Sequence, residues 1–364
     1  MIAALFLSLV LPLLSVVSYP LCKNEQGTAV DTWFQVKGPR GTDSLYYDGT
    51  TGGFVQPAHD LNGTKVGALA DTLNQLWSES TTDYIIFNDE PAGSLSSDSV
   101  RREACSSQGG ACPTLGGGSS DYNFTVGHTK GVWAWNVAQD AAIVVQHSVP
   151  LFPFGPQQTA TYKGLGGNAW MYGQHLACFS FSVASLALMA EQTVLTIPSI
   201  YDSRISPSAP EALQALASGS YSENATCSQT VVTTTGGQVV TYYAKSSQWN
   251  NELYASCIAP SQGESLLVES WIRGSAEGPS CGSGTVDVLD VQNLSYPFGM
   301  AFTEYNDHSK WAIGRDLVCA SDINRMTTQY QRGGSAFCFH DSVLATALRT
   351  AVVNADSCAA TKKN

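Results

Sequence analysis

The chain has 364 residues, of which 43% are hydrophobic and only 13% are charged. This composition excludes intrinsic disorder, because disordered chains are poor in apolar residues and rich in charge. The length allows one to three domains. The formal net charge of −12 with neutral histidines excludes a protein that coats nucleic acid with a basic surface at neutral pH. An acidic compartment suits the chain better than the nucleus, because protonation there reduces its negative charge.

Residues 1–18 predict a secretory signal peptide that is cleaved near Ser18. The segment from Ile2 to Val17 is almost entirely apolar, lies at the N-terminus and is shorter than a membrane span. It lacks a Lys or Arg before the apolar run, so an uncleaved anchor is the alternative. Export agrees with the presence of N-x-S/T glycosylation sequons. These sequons lie at Asn62, Asn123, Asn224 and Asn293.

Predicted strands and helices alternate along the chain. In chain order they are a strand at 31–36, a helix with its apolar face at Val66, Leu69, Leu73, Leu76 and Trp77, a strand at 84–88, a hairpin formed by 126–137 and 141–147, a helix at 181–195, a hairpin at 230–244, strands at 286–291 and 311–317, and a helix that begins at Asp341. Residues 201–226 are rich in Pro, Ser and Gly and predict a boundary. We therefore expect a mixed α/β (α+β) fold with helices packed on sheets, divided into halves at 19–200 and 201–364.

The cysteine pattern indicates disulfides and not a metal ribbon. The chain has ten Cys residues, an even number, and none is in a C-x-x-C pair. In an oxidising compartment these residues predict five disulfides. Cys105 and Cys112 flank a Gly-rich loop and could close it locally, whereas the residues alone leave the other pairings open.

Two short motifs carry the chemistry. GHTKGVW at 127–133 contains His128 and Lys130, and DHSKWAIG at 307–314 contains His308 and Lys310. Six His and nine Lys residues would give about 0.15 H-x-K tripeptides by chance, and two are present. On a strand, residues i and i+2 point to the same face, so each motif is expected to project an imidazole beside an ammonium. The alternative is a pair of exposed strands with solvated lysines.

Two histidines and two lysines suit phosphoryl transfer without a metal or another cofactor. One His can attack phosphorus, the second can protonate the leaving oxygen, and the lysines can neutralise the phosphate. A second polar element follows each motif, which we interpret as a degenerate internal duplication. Asp322 and Asn324 are the supporting candidates in the second half, and His147 and Ser148 are weaker candidates in the first.

Several sequence blocks resemble the deoxyribonuclease II family. They are LYYDGTTGGF, IIFNDEP, GHTKGV, QHSVPLFP, YGQHLACFSF, YYAKSSQWNNELY, DHSKWAIG, SDINRM and QRGGSAFC, in the family's order from about residue 20 to the C-terminus. The resemblance implies a phospholipase D-like fold, in which two pseudo-symmetric halves, each a sheet flanked by helices, bring their H-x-K motifs into one site. It also implies an acid endonuclease that needs no divalent cation, leaves 3′-phosphate ends and acts in lysosomes or after secretion.

The resemblance carries over to individual positions. The residues that match the family's catalytic pairs are His128, Lys130, His308 and Lys310. Asn324 and Lys245 are second-rank candidates. The disulfides that look transferable are Cys22–Cys178, Cys281–Cys358 and Cys319–Cys338. The remaining cysteines would then pair as Cys105–Cys112 and Cys227–Cys257.

The proposed chemistry needs one neutral and one charged histidine. Unperturbed imidazole titrates near pH 6.5, and the lysines and the second imidazolium would lower one of the two pKa values. The mixed state should therefore be most populated at mildly acidic pH. Either histidine can be the nucleophile on these grounds.

DNA binding by an acidic protein requires a local basic groove. Residues 308–332 contain Lys310 and three arginines, and we expect the arginines to contact the DNA backbone without reading its sequence. These arginines are Arg315, Arg325 and Arg332. The alternative is ordinary surface charge.

Other activities fit the same motifs. A phosphodiesterase of the same fold could act on lipid headgroups, and a secreted binding protein or effector could keep the motifs without catalysis.

Overall fold

A computed structural model describes residues 20–78, 82–93, 126–222, 224–282 and 286–358. The predicted signal peptide, the Cys105–Cys112 pair and the sequon at Asn123 lie outside the described residues. Within the described ranges the chain forms two β-sheets and a few short helices. The predicted mixed α/β class is therefore confirmed.

The first sheet is built from the N-terminal strands. They are β1 (Thr32–Lys37), β2 (Ser44–Asp48), β3 (Asp83–Asn88), β4 (Lys130–Asn136), β5 (Ala141–His147), β6 (Gln174–Phe181) and β7 (Ile200–Arg204). Their order across the sheet is β2-β1-β6-β5-β4-β3-β7. All the neighbouring strands in this order are antiparallel.

The second sheet is built from the C-terminal strands. They are β8 (Cys227–Thr233), β9 (Val239–Lys245), β10 (Leu266–Glu269), β11 (Ser280–Cys281), β12 (Asp287–Ser295), β13 (Ala301–Thr303), β14 (Trp311–Ile313), β15 (Leu317–Ser321), β16 (Gly334–His340) and β17 (Val352–Ala355). The order is β11-β12-β10-β14-β15-β16-β9-β8, and β13 and β17 also pair with β12. Only β10 and β12 are parallel among the paired strands that the structure describes.

The helices are short. They are α1 (Ala68–Leu73), α2 (Gln75–Ser78), α3 (Val183–Thr193), α4 (Glu211–Ala217), α5 (Ala259–Gln262) and α6 (Ser342–Ala351), and a π-helical turn at Tyr254–Ile258 precedes α5. Asp341 begins α6 as expected, because its carboxylate accepts hydrogen bonds from the amides of Val343 and Leu344. In the described part of the chain, no helix is long and apolar enough to cross a membrane.

The two sheets pack face to face around one shared hydrophobic core. Phe179 of β6 stacks on Phe337 of β16 with ring centroids 5.4 Å apart, and Trp133 of β4 meets Tyr242 of β9 at 6.3 Å. Strand alternation sends the neighbouring side chains the other way. The outer face of the first sheet packs against α1 and α2, and the outer face of the second packs against residues 253–259.

The chain passes from the first sheet to the second between Arg204 and Cys227. This passage falls in the segment 201–226 where we expect the boundary, although β7 begins at Ile200 and still belongs to the first sheet. The division at residue 200 into two domains stays a prediction.

One strand prediction is wrong. Residues 311–317 do not form a single strand, because β14 ends at Ile313 and the chain turns back into β15 at Leu317. Gly314 donates its amide to the carbonyl of Leu317 and closes this turn.

Four disulfides join parts of the chain that the structure describes. They are Cys22–Cys178, Cys227–Cys257, Cys281–Cys358 and Cys319–Cys338, and they match four of the five expected pairs. The sequon residues Asn224 and Asn293 are exposed. Asn62 is half-buried, and its side-chain carbonyl accepts a hydrogen bond from the amide of Leu165.

Candidate active site

Each His-x-Lys motif lies where the chain enters a strand, and neither histidine is part of that strand. His128 precedes β4, which begins at Lys130, and His308 to Lys310 precede β14. The expectation that each motif lies on one strand face is therefore wrong. The ammonium of each lysine instead folds back on the backbone carbonyl of its own histidine, at 3.4 Å for Lys130 and in a short contact for Lys310.

Each motif is anchored to the opposite sheet. The amide of His128 donates to the carbonyl of Gly333, and the amide of His308 donates to the carbonyl of Gly173, each at 2.8 Å. Gly333 directly precedes β16 of the second sheet, and Gly173 directly precedes β6 of the first. The two halves thus hold each other's motif by equivalent bonds, and the packing of the sheets brings the motifs together.

Glycine is required at these crossings because the backbones approach closely. A Cβ atom on Gly127 would lie 2.0 Å from the carbonyl oxygen of Thr196, and one on Gly333 would lie 2.1 Å from the same oxygen. A Cβ atom on Gly173 would lie 2.6 Å from Oδ1 of Asp307. Any side chain at these positions would therefore displace a motif.

The charges of the two motifs act on one another, which places them in one site. Burial, and then the charge of Lys130, lower the pKa of Lys310 to about 7. Burial and the charges of Lys310, Lys130 and Arg273 hold the pKa of His308 far below its usual value. The pKa of His128 is also well below its usual value, because of burial and the charges of Lys130, Arg332 and Lys310. These shifts favour the neutral form of both imidazoles in the free protein.

Asp89 completes the first half of the site, and the sequence interpretation missed it. Its carboxylate makes a short contact to the ammonium of Lys130, lies 2.9 Å from a guanidinium nitrogen of Arg332, and lies 3.9 Å from Nε2 of His128. Burial alone would raise the pKa of Asp89, but these cationic neighbours hold it well below its usual range. The sequence feature that could have identified Asp89 is its position directly after β3, in the IIFNDEP block.

Asp322 orients His128 from the second half. Its backbone carbonyl contacts Nδ1 of His128 closely, so Nδ1 carries the proton and the lone pair of Nε2 faces the site. The carboxylate of Asp322 accepts hydrogen bonds from the amide and hydroxyl of Ser335 and from Gln146. Burial raises the pKa of Asp322 to about 6.

The candidate Ser148 lies beneath the second motif, next to His175, which the sequence interpretation did not select. Nδ1 of the buried His175 accepts a hydrogen bond from the amide of Lys310 at 3.1 Å. The hydroxyl of Ser148 accepts one from the amide of His175 and donates one to Gln174. Ser148 therefore supports the site through His175 and does not face it.

The other supporting candidates are Lys245, Asn324 and His147. Lys245 donates to the carbonyls of Gln329 and Tyr330, which is a structural role, because its ammonium is used in holding that loop. Asn324 is buried two residues beyond Asp322. His147 is buried against the ring of Phe152.

The predicted DNA-binding arginines do not form one groove. Arg325 is wrong as a DNA contact, because its guanidinium is fully buried and pairs with Asp290 at 2.8 Å. Arg315 is 87% exposed, but it lies in the turn between β14 and β15, at the end of that hairpin away from Lys310. Arg332 is in the site, where it binds Asp89 and the backbone carbonyls of Val126 and Gly127.

Two aromatic rings surround His308, and the sequence interpretation missed both. Tyr172 stacks on the imidazole with centroids 4.0 Å apart and planes 8° apart, and Trp271 lies 4.1 Å away at 35°. Nε2 of His308 is buried without a hydrogen-bond partner among the described residues. Neither ring belongs to a His-x-Lys motif, so spacing offered no clue.

The fold and the site together define an α/β protein that places two His–Lys pairs in one cationic, partly buried site. The imidazole of His128 turns the lone pair of Nε2 towards the site, next to the imidazole of His308 and two ammonium groups. This set of groups suits attack on an anionic ester.

Comparison with known proteins agrees with this assignment. The sequence model of the family described as deoxyribonuclease II matches residues 21–358. A protein named deoxyribonuclease-2 from Caenorhabditis elegans is 33% identical over 89% of this chain and 90% of its own length. A putative deoxyribonuclease-2 from Burkholderia pseudomallei is 30% identical over 90% of each chain, and deoxyribonuclease-2-alpha from Sus scrofa is 29% identical over 87% of this chain and 85% of its own length. The chain belongs to the deoxyribonuclease II family.

Proposed function

We propose that the chain is an acid endonuclease that hydrolyses double-stranded DNA without a divalent metal and leaves 3′-phosphate ends. The observation that carries the proposal is the meeting of His128, Lys130, His308 and Lys310 in one site, supported by membership in the deoxyribonuclease II family. Export of the chain to lysosomes or out of the cell, with glycans on exposed sequons, agrees with its disulfides.

In the first step His128 is the nucleophile. Its Nδ1 proton is engaged by the carbonyl of Asp322, so Nε2 has the lone pair that attacks phosphorus. The bond between Nε2 and phosphorus forms as the bond from phosphorus to the 5′-oxygen breaks. Protonated His308 transfers its proton to that oxygen, and the lysines stabilise the charge on the phosphoryl oxygens.

In the second step water releases the product. Neutral His308 accepts a proton from the attacking water, the new oxygen–phosphorus bond forms, and the bond from phosphorus to Nε2 of His128 breaks. The nucleotide leaves with a 3′-phosphate, and both histidines return to their starting states.

Acid dependence follows from the cationic surroundings. His308 must carry a proton before it can act as the acid, yet its pKa in the free protein is far below the usual value. The negative phosphodiester raises that pKa on binding, so protonation accompanies binding and is favoured at low pH. Lys310, with a pKa of about 7, also loses its charge as the pH rises through neutrality. Both effects lower activity from acid towards alkaline pH.

The test is cleavage of supercoiled plasmid in EDTA at acidic and neutral pH. Wild type should cut only in acid, and His128→Ala and His308→Ala should each lose at least about 10³-fold in rate. His340→Ala is the matched control, because His340 is 54% exposed and pairs with Asp316 outside the site. The cut ends should need phosphatase treatment before a polymerase can extend them. A wild type that needs added metal, or an unimpaired His128→Ala, would refute the mechanism.

A further inference from the structure

Exposed aromatic side chains lie next to His308. Among the described residues, eleven large hydrophobic side chains are exposed, and Trp170, Met171 and Tyr305 are 46%, 61% and 57% exposed. A cluster of large apolar side chains that is exposed beside a candidate active site indicates a binding surface.

Backbone bonds show that these residues are neighbours. Gly173 bridges to Asp307 in parallel, and its amide donates to the carbonyl of Asn306 at 2.7 Å. The segment that carries Trp170 and Tyr172 therefore runs alongside the segment that carries Tyr305, and it leads directly to His308.

Trp271 extends the same surface. Its ring lies 6.1 Å from that of Tyr172, and both rings are only partly buried. We call Trp170, Tyr172, Trp271 and Tyr305 the aromatic strip.

Two arginines lie beside the aromatic strip. The guanidinium of the exposed Arg273 lies 5.9 Å from the ring centroid of Tyr305, and its charge reaches His308. At the other end, the amide of the exposed Arg40 donates to the carbonyl of Met171 at 3.3 Å. Aromatic faces between cations are the pattern by which proteins hold single strands, with bases on the rings and phosphates on the cations.

We propose that the aromatic strip is a stacking subsite for unpaired bases next to the phosphate that is cleaved. An aromatic ring can cover a base only if that base's face is free, and neighbouring pairs cover both faces in a duplex. Unstacking a base costs a few kcal/mol, and each base–aromatic stack contributes about 1–3 kcal/mol. Stacking on the strip can therefore offset local opening, and the site holds a frayed, kinked or single-stranded segment better than a regular duplex. This inference rests on the proposed cleavage of DNA.

Binding of oligonucleotides tests the aromatic strip directly. The full chain with His128→Ala, in EDTA at acidic pH, is the parent, because it binds without turnover. Its affinity is measured by fluorescence anisotropy for a short oligothymidylate and for the same strand with abasic residues in place of its bases. Tyr305→Ala and Trp170→Ala should each weaken oligothymidylate binding about 5- to 150-fold and leave binding of the abasic strand unchanged.

Matched controls separate stacking from general effects. Val231→Ala removes a side chain of similar exposure, 60%, on β8, and should not change either affinity. Arg273→Ala should weaken both strands alike, whereas Arg315→Ala, at the far end of its hairpin, should weaken neither.

Aromatic variants that bind oligothymidylate as tightly as the parent would overturn the proposal. So would an equal loss on both strands, because the rings would then not act on bases. Failure of the proposed function is distinguishable: wild type would leave plasmid uncut although the variants still lost affinity for oligothymidylate. Plasmid cleavage without any base-dependent loss would refute the aromatic strip alone.

Discussion

Asp89 offers the sharpest test of the proposed mechanism. Asp89→Asn keeps the size of the side chain and removes the charge that contacts Lys130 and Arg332 and lies 3.9 Å from Nε2 of His128. When Nε2 bonds to phosphorus, the imidazole ring of His128 becomes positively charged. Asp89 is placed to stabilise that charge, so the substitution should slow the first step.

The distance between the Asp89 carboxylate and Nε2 of His128 sets the size of the expected loss in rate. Two unit charges at 3.9 Å interact by about 4 kcal/mol at an effective dielectric constant of about 20, which corresponds to about 10³-fold in rate as an upper limit. We expect a loss of about 10²- to 10³-fold. Because Asp89 raises the pKa of His128, its removal lowers that pKa further. Protonation of His128 removes its nucleophilic lone pair. The loss of activity that this causes should therefore begin at a lower pH in Asp89→Asn than in wild type.

The assay is the initial rate of plasmid nicking in EDTA across the acidic range, below the melting temperature of each variant. Asp89→Asn also leaves two buried cations without their partner, so the free energy of unfolding should fall by about 3–5 kcal/mol. Asp89→Glu should restore part of the rate. Asp202→Asn is the control, because this buried carboxylate is held by Tyr84 and Gln157. A folded Asp89→Asn with the wild-type rate and pH profile would refute the reasoning.

Three further substitutions test the architecture. Gly127→Ala should lower cleavage by about 10²-fold, because its Cβ would lie 2.0 Å from a backbone oxygen and displace His128; this is checked by plasmid nicking. Cys227→Ser combined with Cys257→Ser opens a loop of 30 residues. The double variant should have a free energy of unfolding about 3–4 kcal/mol lower than wild type, measured by denaturant unfolding. Its cleavage rate at low temperature should be unchanged. Arg325→Leu leaves its buried carboxylate partner without a counter-charge and should cost about 3–5 kcal/mol in the same measurement.

Matched variants control these expectations. Gly49→Ala adds a Cβ with no atom within 4 Å and should keep full activity. Arg315→Leu removes an exposed arginine and should change the free energy of unfolding by less than about 1 kcal/mol. Equal effects of Arg315→Leu and Arg325→Leu would contradict the burial of Arg325, and an active Gly127→Ala would contradict the close crossing.

Local patterns in the sequence were sufficient for the family, the mixed α/β class and the residues of both His-x-Lys motifs. The motifs lie within three residues each, and the helix that follows Asp341 shows its cap and apolar spacing over one short segment. Hydrogen bonding and periodicity over a few residues depend on neighbours along the chain, so such features can be predicted without the fold.

The aromatic and acidic partners of the motifs depended on the tertiary structure. Asp89 meets Arg332 across 243 residues, and Tyr172 reaches His308 only because Gly173 anchors the second motif. Arg325 was misassigned because its charge is visible in the sequence, whereas its burial against Asp290 is not. Burial and long-range pairing are decided by how the two sheets pack, and that packing sums many weak contacts between segments distant in the chain. The sequence by itself therefore determined which groups could do the chemistry, and only the tertiary structure decided which of them meet.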